Sequence, residues 1–414
     1  MKGDTMPRNG SPRIAILGAG PIGLEAALVA RQLKLAFTLF ERGRVGEHLL
    51  RWGHARLFSP FGMNVTALGR STVLDQRRDH EWPGDDTCIT GREHVERYLT
   101  PIADTLKEHL RTETHVLRVG RRNCLKNETP GDAGRAKHPF VLLLRERNQD
   151  RVEEADLILD CTGTYGQHRW LGDGGIPALG ELQAEPQIAY AVEDVLGTRR
   201  NDYAGKSVVV VGGGYSAATT VNNLAALAEQ DNTTWVTWLV RAPHSQPLRR
   251  IAADPLRERD RLAVRANNLA TRGDGNVEFH AGTIVEAVEH QGQGRGFRVT
   301  TRAAGKKRTW DCDAVIANVG YTPDTNLYRE LQIHECYASL GPMKIAAALL
   351  GQKAQDCLKV TSTGLDTLRN PEPNFYILGA KSHGRGSQFL LRFGFEQVRD
   401  VFDLIKKDFG LANR

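Results

Sequence analysis

No apolar run in these 414 residues approaches the roughly eighteen that a membrane-spanning helix needs. The opening stretch, MKGDTMPRNGSPR, lacks the apolar centre of a secretory signal and reads as a disordered tail over residues 1–11. A cytoplasmic protein with no membrane partner is the expectation. Cysteine is scarce and irregular: the six, at 88, 124, 161, 312, 336 and 357, form no CxxC, no CxxH and no pairing pattern. That argues against structural zinc, a disulfide framework and a vicinal dithiol. The 13 histidines show no HExxH spacing, so no metal site is expected. A GxSxG elbow, a Walker A loop and a paired-carboxylate constellation are all missing, which sets hydrolases and kinases aside. The net charge of +6 is scattered apart from short clusters such as GKKR and GRR, so nucleic acid is not an expected partner.

What the chain does have is glycine in two telling places. Its length predicts two domains, and each half follows one plan. In the first, a strand over Arg13–Leu17 runs into Gly18-x-Gly20-x-x-Gly23, then a helix to about Leu33 and a strand over Leu35–Phe40 that ends at Glu41. Three strand-like pieces follow, THVLRVG, FVLLLRER and RVEEADLIL, and the half closes on DCTGTY. In the second, Val208–Val211 runs into Gly212-x-Gly214-x-x-Ala217, a helix to about Glu229 and a strand over Trp235–Val240 that ends at Arg241. VEFHAG, TIVEAVEH and FRVTTR then read as a meander, and VIANVGYTPDT closes the half. A repeat of the whole order of elements outranks any local detail. The last segment, from a strand at Phe375–Leu378 through a polar loop to a helix from near Gly394, is expected to return to the first half.

Each Gly-rich turn has a physical reading. Gly18 permits the tight turn, Gly20 lets backbone approach a pyrophosphate, and Gly23 lets helix and strand pack closely, with Pro21 and Ile22 opening the helix whose N-terminus favours an anion. Glu41 stands where an acid accepts hydrogen bonds from ribose hydroxyls, with Arg42 beside it. The second turn, Gly212, Gly214, Tyr215, Ser216 and Ala217, has no such acid. Arg241, with His244, Arg249 and Arg250 behind it, suits a 2′-phosphate, which favours NADPH over NADH; an ordinary surface arginine is the alternative. Opposite charge logic at two sites fits FAD held in one domain and NADPH presented by the other.

These motifs resemble the two-dinucleotide-binding-domain flavoproteins: pyridine-nucleotide disulfide reductases, thioredoxin reductase-like proteins and flavin-dependent monooxygenases. The resemblance runs from Ile14 to about Ile405. DLILDCTGTYGQH, with Thr162 and Gly163, is similar to a crossover of N-hydroxylating and Baeyer–Villiger monooxygenases. VIANVGYTPDTNL, with Gly320, is similar to the second crossover of thioredoxin reductase-like proteins. VVVVGGGYSAATT resembles the NADPH fingerprint of flavin-containing monooxygenases. The fold implied is α/β, with two Rossmann-like dinucleotide-binding domains, each carrying a small antiparallel meander: an FAD domain over 12–201 and 325–414, and an NADPH domain over 202–324 inserted in it. The resemblance implies that Gly379 lies near the flavin ribityl chain or pyrophosphate, and that a helix starting near Glu396–Gln397 aims at the flavin pyrimidine. Three departures stand out: LGAKSHG follows the last strand in place of Gly-Asp, CxxC is missing, and so is the FxGxxxHxxxW/F pattern ahead of the second fingerprint.

Two stretches offer catalytic candidates. RWGHARLFSPFGMN carries the catalytic candidates His54 and Arg56, the latter able to orient an anionic substrate, and the aromatics Trp52 and Phe58, able to stack on the isoalloxazine beside which this part of the chain runs in relatives; the alternative is a loop with Trp52 and Phe58 in the core. KSHGRGSQF carries Lys381, His383 and Arg385, suited to an anionic flavin adduct or a carboxylate, or to no role as an exposed loop. The expected activity is an NADPH- and FAD-dependent monooxygenase of a small, anionic substrate, in which molecular oxygen forms a C4a-(hydro)peroxyflavin. The alternatives are a CxxC-less reductase of a small disulfide, quinone or protein, and a non-catalytic nucleotide-binding sensor. A homodimer is compatible with the resemblance.

Overall fold

The computed structural model describes residues 11–272, 275–292, 294–351, 358 and 364–411. The tail expected over 1–11 therefore falls, apart from Ser11, outside the described residues, as does Cys357.

Strand β1 (Ile14–Leu17) is buried along its whole length, the apolar run that a strand covered on both faces requires. It leads into helix α1 (Pro21–Gln32), with Pro21 in the first turn, where its missing N–H costs nothing. Strand β2 (Phe37–Phe40) pairs parallel with β1, and the short β3 (Leu110–Arg111) extends the sheet beyond β2. Strands β4 (Thr114–Arg121), β5 (Phe140–Glu146) and β6 (Gln149–Ala155) make an antiparallel meander. The chain then re-enters the parallel sheet as β7 (Leu157–Asp160), on the other side of β1. The expected single piece RVEEADLIL is thus two strands. They part at Asp156, whose carboxylate accepts from the Arg13 backbone N–H at 2.8 Å and from its guanidinium.

The plan repeats in β8 (Ser207–Val211), helix α2 (Tyr215–Gln230) and β9 (Trp235–Leu239). Helix α3 (Arg257–Thr271) follows. The expected meander needs a correction. VEFHAG supplies β10 (Val277–His280), which pairs parallel with β9 at the sheet edge. The meander is β11 (Thr283–His290), β12 (Phe297–Ala303) and β13 (Lys306–Cys312). Strand β13 is almost wholly exposed, so it shows no apolar alternation to read. Strand β14 (Ala314–Ala317) joins β8. Strand β15 (Phe375–Ile377) then adds to β7, and helix α4 (Leu391–Asp408) closes the chain.

The strand orders are β15-β7-β1-β2-β3 and β10-β9-β8-β14. In each sheet the chain leaves its first strand in one direction and returns on the other side. The carboxyl ends of β1 and β7, and of β8 and β14, are therefore the switch points where such sheets bind ligands. One core lies between the first sheet and its meander, around Phe140, Tyr328 and Phe375. The second sheet has an apolar core on each face, one against α2 and α3 and one under its own meander.

The chain packs into two compact units. One holds the residues up to Leu50, Phe61–Gln167 and Thr322 onward; the other holds Arg51–Pro60 and His168–Tyr321. The second unit starts earlier than the expected 202–324. The buried Glu181 carboxylate accepts from Leu171 N, Ala178 N and the Tyr190 hydroxyl, while Leu179 bridges to Ala287 and Ala189 to Ile316. No described helix is long and apolar enough to cross a membrane.

Candidate functional site

At the first switch point, Gly18 sits at φ +96°, and a Cβ there would lie 2.9 Å from the Cys161 carbonyl oxygen of the crossover. A Cβ on Gly23 would fall 1.8 Å from the Gly18 carbonyl oxygen, so no side chain fits there. Gly20 differs: a Cβ would meet nothing within 4 Å, and no side chain caps the helix it starts. Open space against the bare N-terminus of a twelve-residue helix is a cradle for an anion. Glu41 lies buried beside it; Oε2 accepts from Ala19 N and Oε1 from Gly43 N, both at 2.8 Å. The acid thereby fixes the glycine loop while each oxygen keeps a lone pair for a ribose hydroxyl. Arg42 is exposed and bonds the His48 ring at 3.1 Å.

The crossover and the loop after β15 complete this end of the sheet. Asp160 is fully buried; Oδ1 accepts from Thr162 N at 3.1 Å and from Thr162 Oγ1 at 2.7 Å, and Oδ2 accepts from Lys381 Nζ at 2.7 Å. Lys381 Nζ also donates to Thr162 Oγ1 and lies 4.9 Å from the centre of the Tyr328 ring. KSHGRGSQF was expected as a polar loop. Its first part is instead a buried 3₁₀ turn, Gly379–His383, in which Lys381 is 1 % exposed and ion-paired. His383 is buried too, and burial pushes its pKa down to about 4, leaving a neutral ring. Arg385 is exposed. The helix expected to start near Gly394, and to point from Glu396–Gln397, starts at Leu391, which places Gln397 in its second turn. There Gln397 Oε1 accepts from Gly379 N and Nε2 donates to Ser382 Oγ, both at 2.8 Å. Gly163, at φ +69°, and Gly379, at φ +72°, turn their loops over the same sheet end.

The second switch point is built alike. Gly212 is at φ +144°, and a Cβ there would lie 2.3 Å from the Asn318 carbonyl oxygen. Gly214 again opens onto space within 4 Å, ahead of a sixteen-residue helix without a side-chain cap. Tyr215 and Ser216 start that helix, and Ala217 is buried under the turn. Trp238, fully buried, donates Nε1–H to the Gly212 carbonyl at 2.8 Å, and Thr220 Oγ1 bonds Asn318 Oδ1 at 2.7 Å. Arg241 is exposed just beyond β9, whereas Arg250 is paired through Nε and Nη2 with Asp260. Gly320 is exposed, and its carbonyl accepts from Arg169 N.

Trp52, His54, Arg56 and Phe58 belong to the second unit, although the chain on either side of them belongs to the first. The Phe58 ring lies 5.3 Å from that of Tyr215. Sequence reasoning missed Asp160, Trp238 and Asn318. An Asp closing a buried strand just before Thr-Gly was a usable sign for the first; the other two carry none. The thiol beside the first fingerprint, Cys161, is held protonated, its pKa pushed well up by burial and by Asp160. Burial pushes Cys312 up to about 12. Among the described residues no group of His, Cys, Asp and Glu could hold a metal ion.

The sequence matches the pyridine nucleotide-disulphide oxidoreductase family twice, over residues 15–128 and 180–336. No curated protein sequence matches the chain. Solved structures with the same fold include the bacillithiol disulfide reductase of Bacillus cereus, at TM-score 0.69 and 15 % identity, covering 96 % of this chain and 99 % of that one. The thioredoxin reductase of T. acidophilum has a TM-score of 0.59 at 15 % identity, over 95 % and 99 %. The FAD-bound cadaverine monooxygenase of Erwinia amylovora has 0.62 at 13 %, over 95 % and 94 %.

Proposed function

Since the chain belongs to the two-dinucleotide-binding-domain flavoprotein superfamily, and is on that ground a flavin-dependent oxidoreductase, we propose that it is an NADPH-dependent FAD monooxygenase acting on a small molecule. FAD fits the Gly18–Gly23 cradle, with Glu41 toward its ribose and the Asp160–Lys381 pair fixing the loops around it. NADPH fits the Gly212–Ala217 cradle, with Arg241 toward the 2′-phosphate. Bound flavin would supply hydride acceptance from the nicotinamide and reactivity toward oxygen. The chain's own part is to position the two dinucleotides, since the helix N-termini and buried pairs hold phosphates and loops but transfer no proton.

The observation that carries this reading is the state of Cys161. Its side chain lies beside the first fingerprint, where a Cβ on Gly23 would come within 3.5 Å of the Cys161 Cβ, and burial keeps it a thiol, whereas a disulfide relay requires a thiolate. The second reading, a reductase of a small disulfide, draws on the likeness to bacillithiol disulfide reductase. It also draws on Cys336, whose pKa is lowered by hydrogen bonds from the Ser339 backbone and hydroxyl and the Ala338 backbone.

Both are tested on the purified flavin-loaded protein, reduced with NADPH under argon and then mixed rapidly with air-saturated buffer. A transient blue-shifted absorbance ahead of the oxidised spectrum supports oxygen insertion. A direct return, with NADPH consumed anaerobically when small disulfides are added, would replace it with the reductase. No bleaching by NADPH would remove both.

A further inference from the structure

The decapeptide Arg51–Pro60 packs with the second unit while its neighbours on both sides pack with the first, and its place there can be located. Phe58 lies against Tyr215, with ring centroids 5.3 Å apart and planes at 60°. Tyr215 is the first residue of α2, directly after Gly214, where the space left by the glycine faces an uncapped helix N-terminus. Four residues before Phe58, His54 acts electrostatically on Asp194 and helps to lower its pKa, after burial, which opposes, and hydrogen bonds from Thr198. Asp194 follows Ala189 and Ala191, and these two lie along the β14 edge: Ala189 bridges to Ile316, and the Ala191 carbonyl accepts from Asn318 Nδ2. The peptide therefore runs from the start of α2 toward the β14 side. Arg241 stands at the end of β9, on the opposite side of β8.

A dinucleotide with its pyrophosphate on α2 and its 2′-phosphate at Arg241 extends its other half away from β9, toward β14. Phe58 and Tyr215 meet at the start of α2, where that half of the ligand leaves the pyrophosphate cradle. We propose that residues 51–60 form the wall of the nicotinamide subsite, with Phe58 backed by Tyr215 as the surface on which the nicotinamide ring packs. The proposal rests on reading the second fingerprint as the NADPH site. Its chemistry is that of a planar ring, positively charged when oxidised, against aromatic faces. The segment that resembles a flavin-side loop by sequence position serves the reductant in this arrangement, and Phe58 is a specificity residue for the nicotinamide half of the ligand.

The test separates the two halves of the dinucleotide. Calorimetry on the flavin-loaded protein compares NADP+ with 2′-phospho-ADP-ribose, which keeps the phosphates and lacks the nicotinamide ring. Phe58→Ala should weaken NADP+ about tenfold, the size of one lost aromatic contact, and leave 2′-phospho-ADP-ribose within about twofold. Phe58→Leu, which keeps apolar bulk in case the alanine variant unfolds, should shift NADP+ in the same direction, and Phe58→Trp should restore it. Equal weakening of both ligands, or no change in either, overturns the proposal. If the wild-type protein binds neither ligand, the NADPH reading itself fails, and the proposal falls with it.

Discussion

Lys381→Met would leave the Asp160 carboxylate buried without its cation. Asp160 is 0 % and Lys381 1 % exposed, so water cannot reach the site to compensate. Asp160 Oδ1 already accepts twice from Thr162, and it is Oδ2, 2.7 Å from Nζ, that loses its counter-charge. Removing one member of a buried ion pair costs about 3–5 kcal/mol, because the remaining charge keeps its desolvation penalty and loses the attraction. In a unit of this size each kcal/mol moves the melting temperature by about 2–4 °C. The flavin-free Lys381→Met protein should therefore melt roughly 10 °C lower by circular dichroism. Asp160→Asn combined with Lys381→Met leaves no buried charge and should recover at least about half of that loss. The reasoning is refuted if Lys381→Met melts within about 2 °C of wild type, or if the double variant is no more stable than the single.

Three further outcomes follow from other positions. His94 is fully buried, neither ring nitrogen has a hydrogen-bond partner among the described residues, and burial pushes its pKa down to about 4. On acidification the unfolded chain takes the proton first, near 6.5. Stability is therefore full above that pH and declines as the pH falls toward 4, by up to about 3 kcal/mol; His94→Phe should flatten this decline in urea midpoints at pH 7 and pH 5 and cost little at pH 7. Trp238→Phe keeps the core filled but leaves the Gly212 carbonyl without its indole donor; titration should show several-fold weaker NADP+ binding with flavin content unchanged. Gly212→Ala forces a Cβ to 2.3 Å from the Asn318 carbonyl oxygen at φ +144°; it should abolish NADPH-driven bleaching of the flavin while dithionite still reduces it.

The repeated plan was legible because each half writes it locally. Val208–Val211 before Gly212 and Ile14–Leu17 before Gly18 are β-branched or aliphatic runs meeting a residue that must turn at positive φ, and the glycines state that requirement outright. The meander of the second half was read one strand out of register for the opposite reason. Strand β10 is a short apolar-alternating string with no mark of parallel pairing, and β13 is a charged, exposed strand that pairs only because β12 lies beside it.

What stayed illegible depends on distance along the chain and not on obscure chemistry. Lys381 read as a cation ready for a substrate, because nothing near it in sequence neutralises it; its partner Asp160 is 221 residues away and meets it only because β15 adds to β7. The resemblance sets a helix tip near Glu396–Gln397, and the sequence pattern starts the helix near Gly394. That glycine marks the place where a Cβ would come within 2.3 Å of Ile22, so it is an α1–α4 packing contact and not a helix start. Arg51–Pro60 shows the same limit at the level of the unit. Its side chains suggested a ligand wall, and only the contact of Phe58 with Tyr215 places that wall at the second fingerprint. In each case the residue type told which chemistry was available, and the strand order decided what that chemistry faces.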